Sequence, residues 1–498
     1  MTQNKLELTL GLKSSLPHQL AVTDFASRMV LMEILKDRPA AKEALSKELK
    51  KLKKDESSAE AQTIRIPFEG KGGLTAVIFP GPLSAFASQV ALRKAFLEEF
   101  KNGEEDREIQ VCLRGLKDQD AAKHLNWLAS LAMIAGYRPP VFGKKAKDQK
   151  TPGKLKIQFD CSLAKKAAET EIEEGLLLGF ANNQVRHLAE LPSNVLHPGT
   201  YRERAEQLAK ELKVKCEFLG KKELLKRGAG AFLAVVQGDH HERAGIVHLH
   251  YTPPKKAAKK LALVGKGLCF DTGGYNVKTG DYMHGMHQDM TGSAVALSLF
   301  QVLVSLKVPY EVHAYLALAE NLIAFDAYRP NDVVVATNGI SIEVENTDAE
   351  GRMCLADTLA IASGEKPDLI LDYATLTGSV VRALDTRRSG AYSTDLGLSQ
   401  TAVRAGERCG ERVWNFPIGE DYSEFIKSEF ADVRQASTTK CADHIYAATF
   451  LSRFVEKGIS WLHIDLAASG NAGGLGLVPT ETTGFGVRLG LEIVREIL

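Results

Sequence analysis

The chain has 498 residues, 44% hydrophobic and 25% charged, which excludes a wholly disordered or fibrous protein and leaves enough apolar material for a sizeable core. Lysine and arginine number 63 against 62 aspartate and glutamate, so the net charge of +1 gives no whole-chain signature of nucleic-acid binding. Seven scattered cysteines without a CxxC pair argue against a disulfide framework or a zinc knuckle, and for a reducing compartment.

The first ten residues show no cationic stretch leading into an apolar core, and no run of about 18 apolar residues occurs anywhere. Neither a signal peptide nor a membrane span is expected, and the reading is cytoplasmic. Residues 42–60 (KEALSKELKKLKKDESSAE) read as a solvated helix running into a flexible loop. Residues 73–80 and 108–113 read as strands, and 85–100 and 121–135 as helices. Residues 143–153 (GKKAKDQKTPG) read as a loop or hinge. A strand at 155–159 is followed by an amphipathic pattern from 164 to 191 that stops at Pro192. The domain boundary is placed here: 1–165 as a smaller N-terminal α/β domain, and 166–498 as a larger C-terminal one.

The remainder alternates between apolar strands (244–250, 260–264, 310–318, 340–344, 369–373, 461–466) and helical patterns such as 292–306 and 352–363. Alternation of this kind predicts an α/β fold with a mainly parallel mixed sheet covered by helices on both faces. Functional loops then lie at the carboxyl ends of strands. Two polar clusters occupy such places. In one, Asp348, Glu350 and Arg352 are spaced two apart, so an extended backbone would project them to one side. An acidic first helical turn explains that segment taken alone equally well. In the other, Asp271 follows a strand and precedes Gly273-Gly274, and Asp289 precedes a helix start. Four loop carboxylates with few histidines suit Mg, Mn or Zn, and a pair of such ions would stabilise attacking and leaving oxygens. Lys266 and Lys278 flank Asp271, and for either one alone an ordinary salt bridge is the simpler reading.

The segments VGKGLCFDTGG, the later Lys278, MHQDM and above all the intact NTDAEGR resemble the leucyl (cytosol) aminopeptidase family. Residues 182–195, 372–378 and 483–489 are also similar to family segments, so the resemblance covers roughly residues 165–498. It implies hydrolysis of the N-terminal peptide bond of peptides bearing a free α-amine, with apolar residues such as leucine preferred. It implies that Lys266, Asp271, Asp289, Asp348 and Glu350 hold two divalent ions per subunit (Mn or Zn, with Mg possible), Asp271 and Glu350 lying between them. Lysine as a ligand must be neutral, which burial beside two cations would favour. Lys278 matches the lysine that stabilises the developing oxyanion. Arg352 matches the arginine that holds bicarbonate, the anion acting as base toward water. Met286, Thr375, Leu376, Gly378 and Ala467 match segments that line the side-chain pocket or bind amine and peptide. A homohexamer is implied as well, with residues 1–165 serving assembly or support and residues 166–498 forming the dinuclear-metal catalytic domain.

Thr272, Tyr275, Asn276, Thr279, Thr291, Ser293 and His444 depart from the common family pattern without removing a ligand type. They bear on side-chain preference rather than on activity. Signals set aside are the HxxH of His284 and His287, the 239–243 polar turn, Gly265-Lys266-Gly267, which is no P-loop, and the glycine-rich 470–476 segment, read as a mobile loop. A DNA-binding or structural assembly role on the same fold is the alternative reading, and the even charge balance speaks against the nucleic-acid half of it.

Overall fold

The computed structural model describes residues 6–10, 18–24, 28–35, 37–51, 61–67, 73–79, 84–100, 106–149, 153–439 and 441–498. The chain divides into two compact units, residues 1–183 with 472–481, and residues 184–471 with 482–498.

The first unit holds strands β1 (Leu6–Leu10), β2 (His18–Asp24), β3 (Gln62–Pro67), β4 (Gly73–Phe79), β5 (Arg107–Cys112) and β6 (Leu155–Asp160), in the order β1-β6-β5-β2-β4-β3. All neighbours are parallel except β3, which runs against β4. Strand β4 is buried along nearly its whole length, as a strand covered on both faces should be. One face packs on the helix Pro39–Lys51, whose Ala41, Leu45 and Leu49 recur at i, i+4 and i+8 while its lysines face outward. The other face packs on the helices Ala85–Phe100 and Asp118–Ala135. Of the expected solvated segment, residues 52–60 lie outside the described residues. The expected loop at 143–153 contains a short exposed helix, Lys144–Asp148.

Two expectations shift here. The division falls after Asn183, not after residue 165. The start of the long helix Lys165–Glu190 is bound into the first unit's core: a Cβ on Gly175 would collide with Asn126 and Ala129, and Asn183 Nδ2 donates to Met133 O at 2.9 Å. The glycine-rich 470–476 segment is likewise no open loop. Leu475 and Val478 exchange backbone hydrogen bonds of 2.9 and 2.8 Å, and Leu477 and Val478 are buried in the first unit's core.

The second unit is built on β7 (Lys215–Gly220), β8 (Gly245–Tyr251), β9 (Lys260–Asp271), β10 (Glu311–Asn321), β13 (Leu369–Ala374), β14 (Ser389–Tyr392), β15 (Val413–Asn415) and β17 (Ser460–Asp465). A separate three-stranded sheet joins β11 (Val333–Val335), β12 (Ser341–Glu343) and β16 (Val433–Arg434). The large sheet runs β15-β14-β17-β13-β9-β10-β8-β7. Its centre, β17-β13-β9-β10, is parallel; β14, β8 and β7 add antiparallel pairings toward the edges. Helices cover both faces. Thr291–Ser305 and Val487–Ile497 pack on one side, and Glu350–Ser363 with Gly230–Val235 on the other.

Strand β9 is longer than its apolar run of 260–264. It continues to Asp271 because β10 pairs with it as far as Asn321, through a register shift at Ala319/Glu320. Gly265 within it leaves room for the helix Thr291–Ser305, whose Ser293 backbone lies where a Cβ would stand. Consequently Lys266 is a strand residue, on the face turned toward Glu350–Ser363.

Candidate metal centre

The site is assembled at the carboxyl ends of β9 and β13 and at the start of the helix Glu350–Ser363. From β9, Lys266 and Asp271 are 3% and 2% exposed. Lys266 Nζ lies 2.8 Å from Asp289 Oδ2 and 3.1 Å from Glu350 Oε1, and donates to Thr375 O at 3.0 Å. Lys278 Nζ lies 2.8 Å from Asp271 Oδ2 and 2.5 Å from Asp348 Oδ1. Two ammoniums therefore interleave four carboxylates. Thr375 Oγ1 donates to Asp289 Oδ1 at 2.7 Å and fixes its orientation.

The turn after β9 depends on glycine. Gly273 and Gly274 have φ of +84° and +63°, and a Cβ on Gly273 would press on Asp348 Oδ1 and the Lys278 amide. That turn is tied to the NTDAEGR segment by residues the sequence reading did not assign. Thr347 Oγ1 donates to Gly273 O at 2.6 Å, and Asn276 Oδ1 accepts from Thr347 N at 2.9 Å. Asn321 Nδ2 donates both to Asp271 Oδ1 (2.8 Å) and to Thr347 O (3.0 Å), and Tyr328 OH donates to Thr347 O at 2.7 Å. The available signal was positional: Asn321 is the polar end of an apolar strand, and Thr347 stands inside the motif. Asp465, at the end of β17, also went unassigned; it accepts from Leu376 N at 3.0 Å and from Thr377 Oγ1 at 2.7 Å.

Eleven of the twelve expected site residues line one cavity of about 910 Å³: Lys266, Asp271, Lys278, Met286, Asp289, Asp348, Glu350, Thr375, Leu376, Gly378 and Ala467. Arg352 is the exception. The helix begins at Glu350, so Arg352 is not on an extended backbone and does not project with Asp348 and Glu350. Its guanidinium, 2% exposed, donates from Nη2 to both oxygens of Asp443 (2.9 and 3.0 Å) and from Nη1 to Gln435 O (3.2 Å). His284 is exposed on a short turn, apart from the carboxylate group. His444, one of the departures, is buried with Nδ1 2.9 Å from Ser379 Oγ and its ring against Phe416.

Electrostatics test whether metal fits. Four carboxylates and two ammoniums leave two uncompensated negative charges in a mostly buried site. Burial, with Glu350 and Asp289 nearby, pushes Asp271 up to about 8 despite Lys278 and Lys266. Burial raises Asp289 to about 6 and also raises Asp348. Burial opposes the charge on Lys266 too, but Asp289, Glu350 and Asp271 outweigh it and hold its proton on; divalent ions on those carboxylates would cancel that pull and free the amine lone pair. Asp271, Asp348 and Glu350 each offer an oxygen within 4.8 Å of the others, and Glu350 Oε2 has no hydrogen-bond partner among the described residues. Excess buried negative charge and an orphaned carboxylate oxygen are what divalent cations relieve, so the donor set fits metal. Bicarbonate does not fit in the same way. The guanidinium implied for it already carries the Asp443 carboxylate on Nη2; Nε is buried without a hydrogen-bond partner among the described residues, but an anion accepting from it would meet the Asp443 charge.

Comparisons with known proteins agree with this architecture. Residues 183–491 match the cytosol aminopeptidase family, catalytic domain. A probable cytosol aminopeptidase of Persephonella marina is 40% identical over 325 residues, 65% of each chain. Another from Aquifex aeolicus is 37% identical over 368 residues, 74% of this chain and 73% of the relative. The apo structure of leucyl aminopeptidase from Trypanosoma cruzi superposes with a TM-score of 0.81 at 25% identity, covering 100% of this chain and 98% of that one. The chain belongs to the cytosol aminopeptidase family of metal-dependent peptide hydrolases.

Proposed function

We propose that this chain removes the N-terminal residue from peptides with a free α-amine, preferring apolar residues such as leucine. The observation that carries the reading is the convergence of four carboxylates and two lysines on one cavity whose wall also includes Met286, Leu376 and Ala467. Two divalent ions (Mn or Zn, with Mg the third option) held by Lys266, Asp271, Asp289, Asp348 and Glu350 would supply Lewis-acid polarisation and an acidified water. The chain's own residues do the rest. Lys278 presents a positive charge to the carbonyl oxygen as it becomes an oxyanion, and its pairing with Asp271 and Asp348 keeps the ammonium aimed into the cavity. Thr375 and Gly378 offer backbone groups beside the peptide, while Met286, Leu376 and Ala467 give the leaving residue an apolar wall. Arg352 acts through position: with Asp443 and Gln435 it anchors the start of the helix that carries Glu350.

We assign the chain to the cytoplasm on the printed names of its relatives, and among the described residues no helix is long and apolar enough to cross a membrane. We also read it as a homohexamer whose N-terminal unit serves assembly or support. Tyr282, Phe325 and Phe430, 78%, 88% and 76% exposed, are apolar side chains that copies of the chain would cover. The deciding experiment compares leucine anilide with N-acetyl-leucine anilide, with Mn2+ or Zn2+ and with a chelator. Cleavage of the free-amine substrate alone, lost on chelation, is expected. Equal cleavage of both overturns the exopeptidase reading, and chelator-resistant cleavage overturns the metal.

A further inference from the structure

A second group of metal-ligating side chains lies at the other end of the large sheet. Strands β8 and β10 are antiparallel, with His250 opposite His313 and His248 opposite Tyr315. Glu311 precedes His313 by two residues, so a period of two puts His248, His250, Glu311, His313 and Tyr315 on one face. Asn321, which touches Asp271, is eight residues beyond His313 on β10, about 25 Å along the strand. This group is therefore distinct from the carboxylate cavity.

One donor atom from each of His250, Glu311 and His313 lies within 4.8 Å of the other two. A tetrahedral ion with bonds of about 2.1 Å needs donors about 3.4 Å apart; the His250 and His313 rings stack with centroids 4.2 Å apart and planes at 15°, so the half-buried His250 ring turns out of the stack to aim its lone pair at the same ion. His313 is 2% exposed, and its Nε2 has no hydrogen-bond partner among the described residues; it lies 3.8 Å from Glu311 Oε2. The other nitrogen, Nδ1, is 2.9 Å from His248 Nε2. A proton on Nδ1 donated to His248 leaves Nε2 as a bare lone pair, the arrangement by which an outer partner orients a metal-bound imidazole. Glu311 is shared with Lys260, whose Nζ is 3.6 Å away but donates to Glu365 O at 2.8 Å. His250 and Glu311 are half-buried, so the group is reachable from solvent.

We propose that His250, Glu311 and His313 form a separate binding site for one transition-metal ion of the Zn2+ class, fastening strand β8 to β10. Two imidazoles and one carboxylate favour Zn2+, Cu2+, Ni2+ or Co2+ over Mg2+ or Ca2+. The ion is structural: it bridges neighbouring strands and takes no part in peptide hydrolysis.

The test uses Cu2+ as probe on the chelator-stripped full-length protein, read by electron spin-echo spectroscopy, which detects the remote nitrogen of a coordinated imidazole and is blind to a lysine amine. Two imidazoles are expected in the wild type and in Glu350→Ala, which lacks a residue of the carboxylate cavity. In His250→Gln the two-imidazole pattern is expected to vanish, with leucine anilide hydrolysis unchanged. Glu311→Gln should weaken Cu2+ binding at least tenfold, and Zn2+ in large excess should compete the Cu2+ signal away. A spectrum without imidazole in the wild type overturns the proposal. So does a two-imidazole pattern that survives His250→Gln or disappears in Glu350→Ala.

Discussion

Arg352 and Glu350 stand two residues apart, yet their side chains meet different partners, because a helix turns about 200° over that spacing. Glu350 enters the cavity; Arg352 reaches Asp443 and Gln435. Two predictions follow the two directions. Glu350→Ala should remove metal-dependent turnover, by about 100-fold or more, while the far-ultraviolet circular dichroism and the cooperative melt persist. Wild-type kcat should be the same in CO2-stripped buffer as in millimolar bicarbonate, since Asp443 already neutralises Arg352. A rate that falls on stripping and returns with bicarbonate would mean the ion displaces that carboxylate. At this scale most of the cavity was readable, because metal chemistry restricts residue types and the NTDAEGR motif is compact. The clamp of Asn276, Asn321, Thr347 and Tyr328 was not, since hydrogen bonds between distant segments leave no local pattern.

The helix Glu350–Ser363 shows how an element carries the site. Its second residue is Gly351, and a Cβ there would strike the Lys266 side chain. Gly351→Ala should therefore push Lys266 off Glu350 and lower metal affinity at least tenfold, measured by calorimetry. Further along, buried Asp357 accepts from Phe232 N and Thr337 N, both at 2.7 Å, and so ties the helix to the helix Gly230–Val235 and to the turn after β11. Burial nevertheless lifts its carboxyl to about 6. A group raised in the folded state adds stability that is complete below its unfolded value near 3.8 and is lost as pH climbs through 6. The stability gap between wild type and Asp357→Asn should widen by about 1 kcal/mol from pH 7 to pH 5, measured by urea unfolding. The apolar central strands were legible as elements. The edge strand β7 was not, because its sequence, KCEFLG, is mostly exposed and lacks an apolar run. Strands β11 and β16 are too short to show a period.

Over the whole chain, the division into two units places ten residues, 472–481, with the N-terminal unit rather than with their sequence neighbours. Arg93 Nη1 donates to Val478 O, and Val478 is 6% exposed. Val478→Asp should destabilise that unit by more than about 3 kcal/mol, seen as an early transition in calorimetry, with metal binding by the second unit retained. No window of sequence announced this return, because a glycine-rich segment has little hydrophobic period and its partner is 385 residues away. It also sets a timetable for biosynthesis. A ribosome adding about 5–20 residues per second releases Val478 on the order of 20–80 s after Arg93. Until then the core of the N-terminal unit waits for a plug still to be translated. Over that interval the nascent N-terminal unit presents apolar surface that a chaperone would cover.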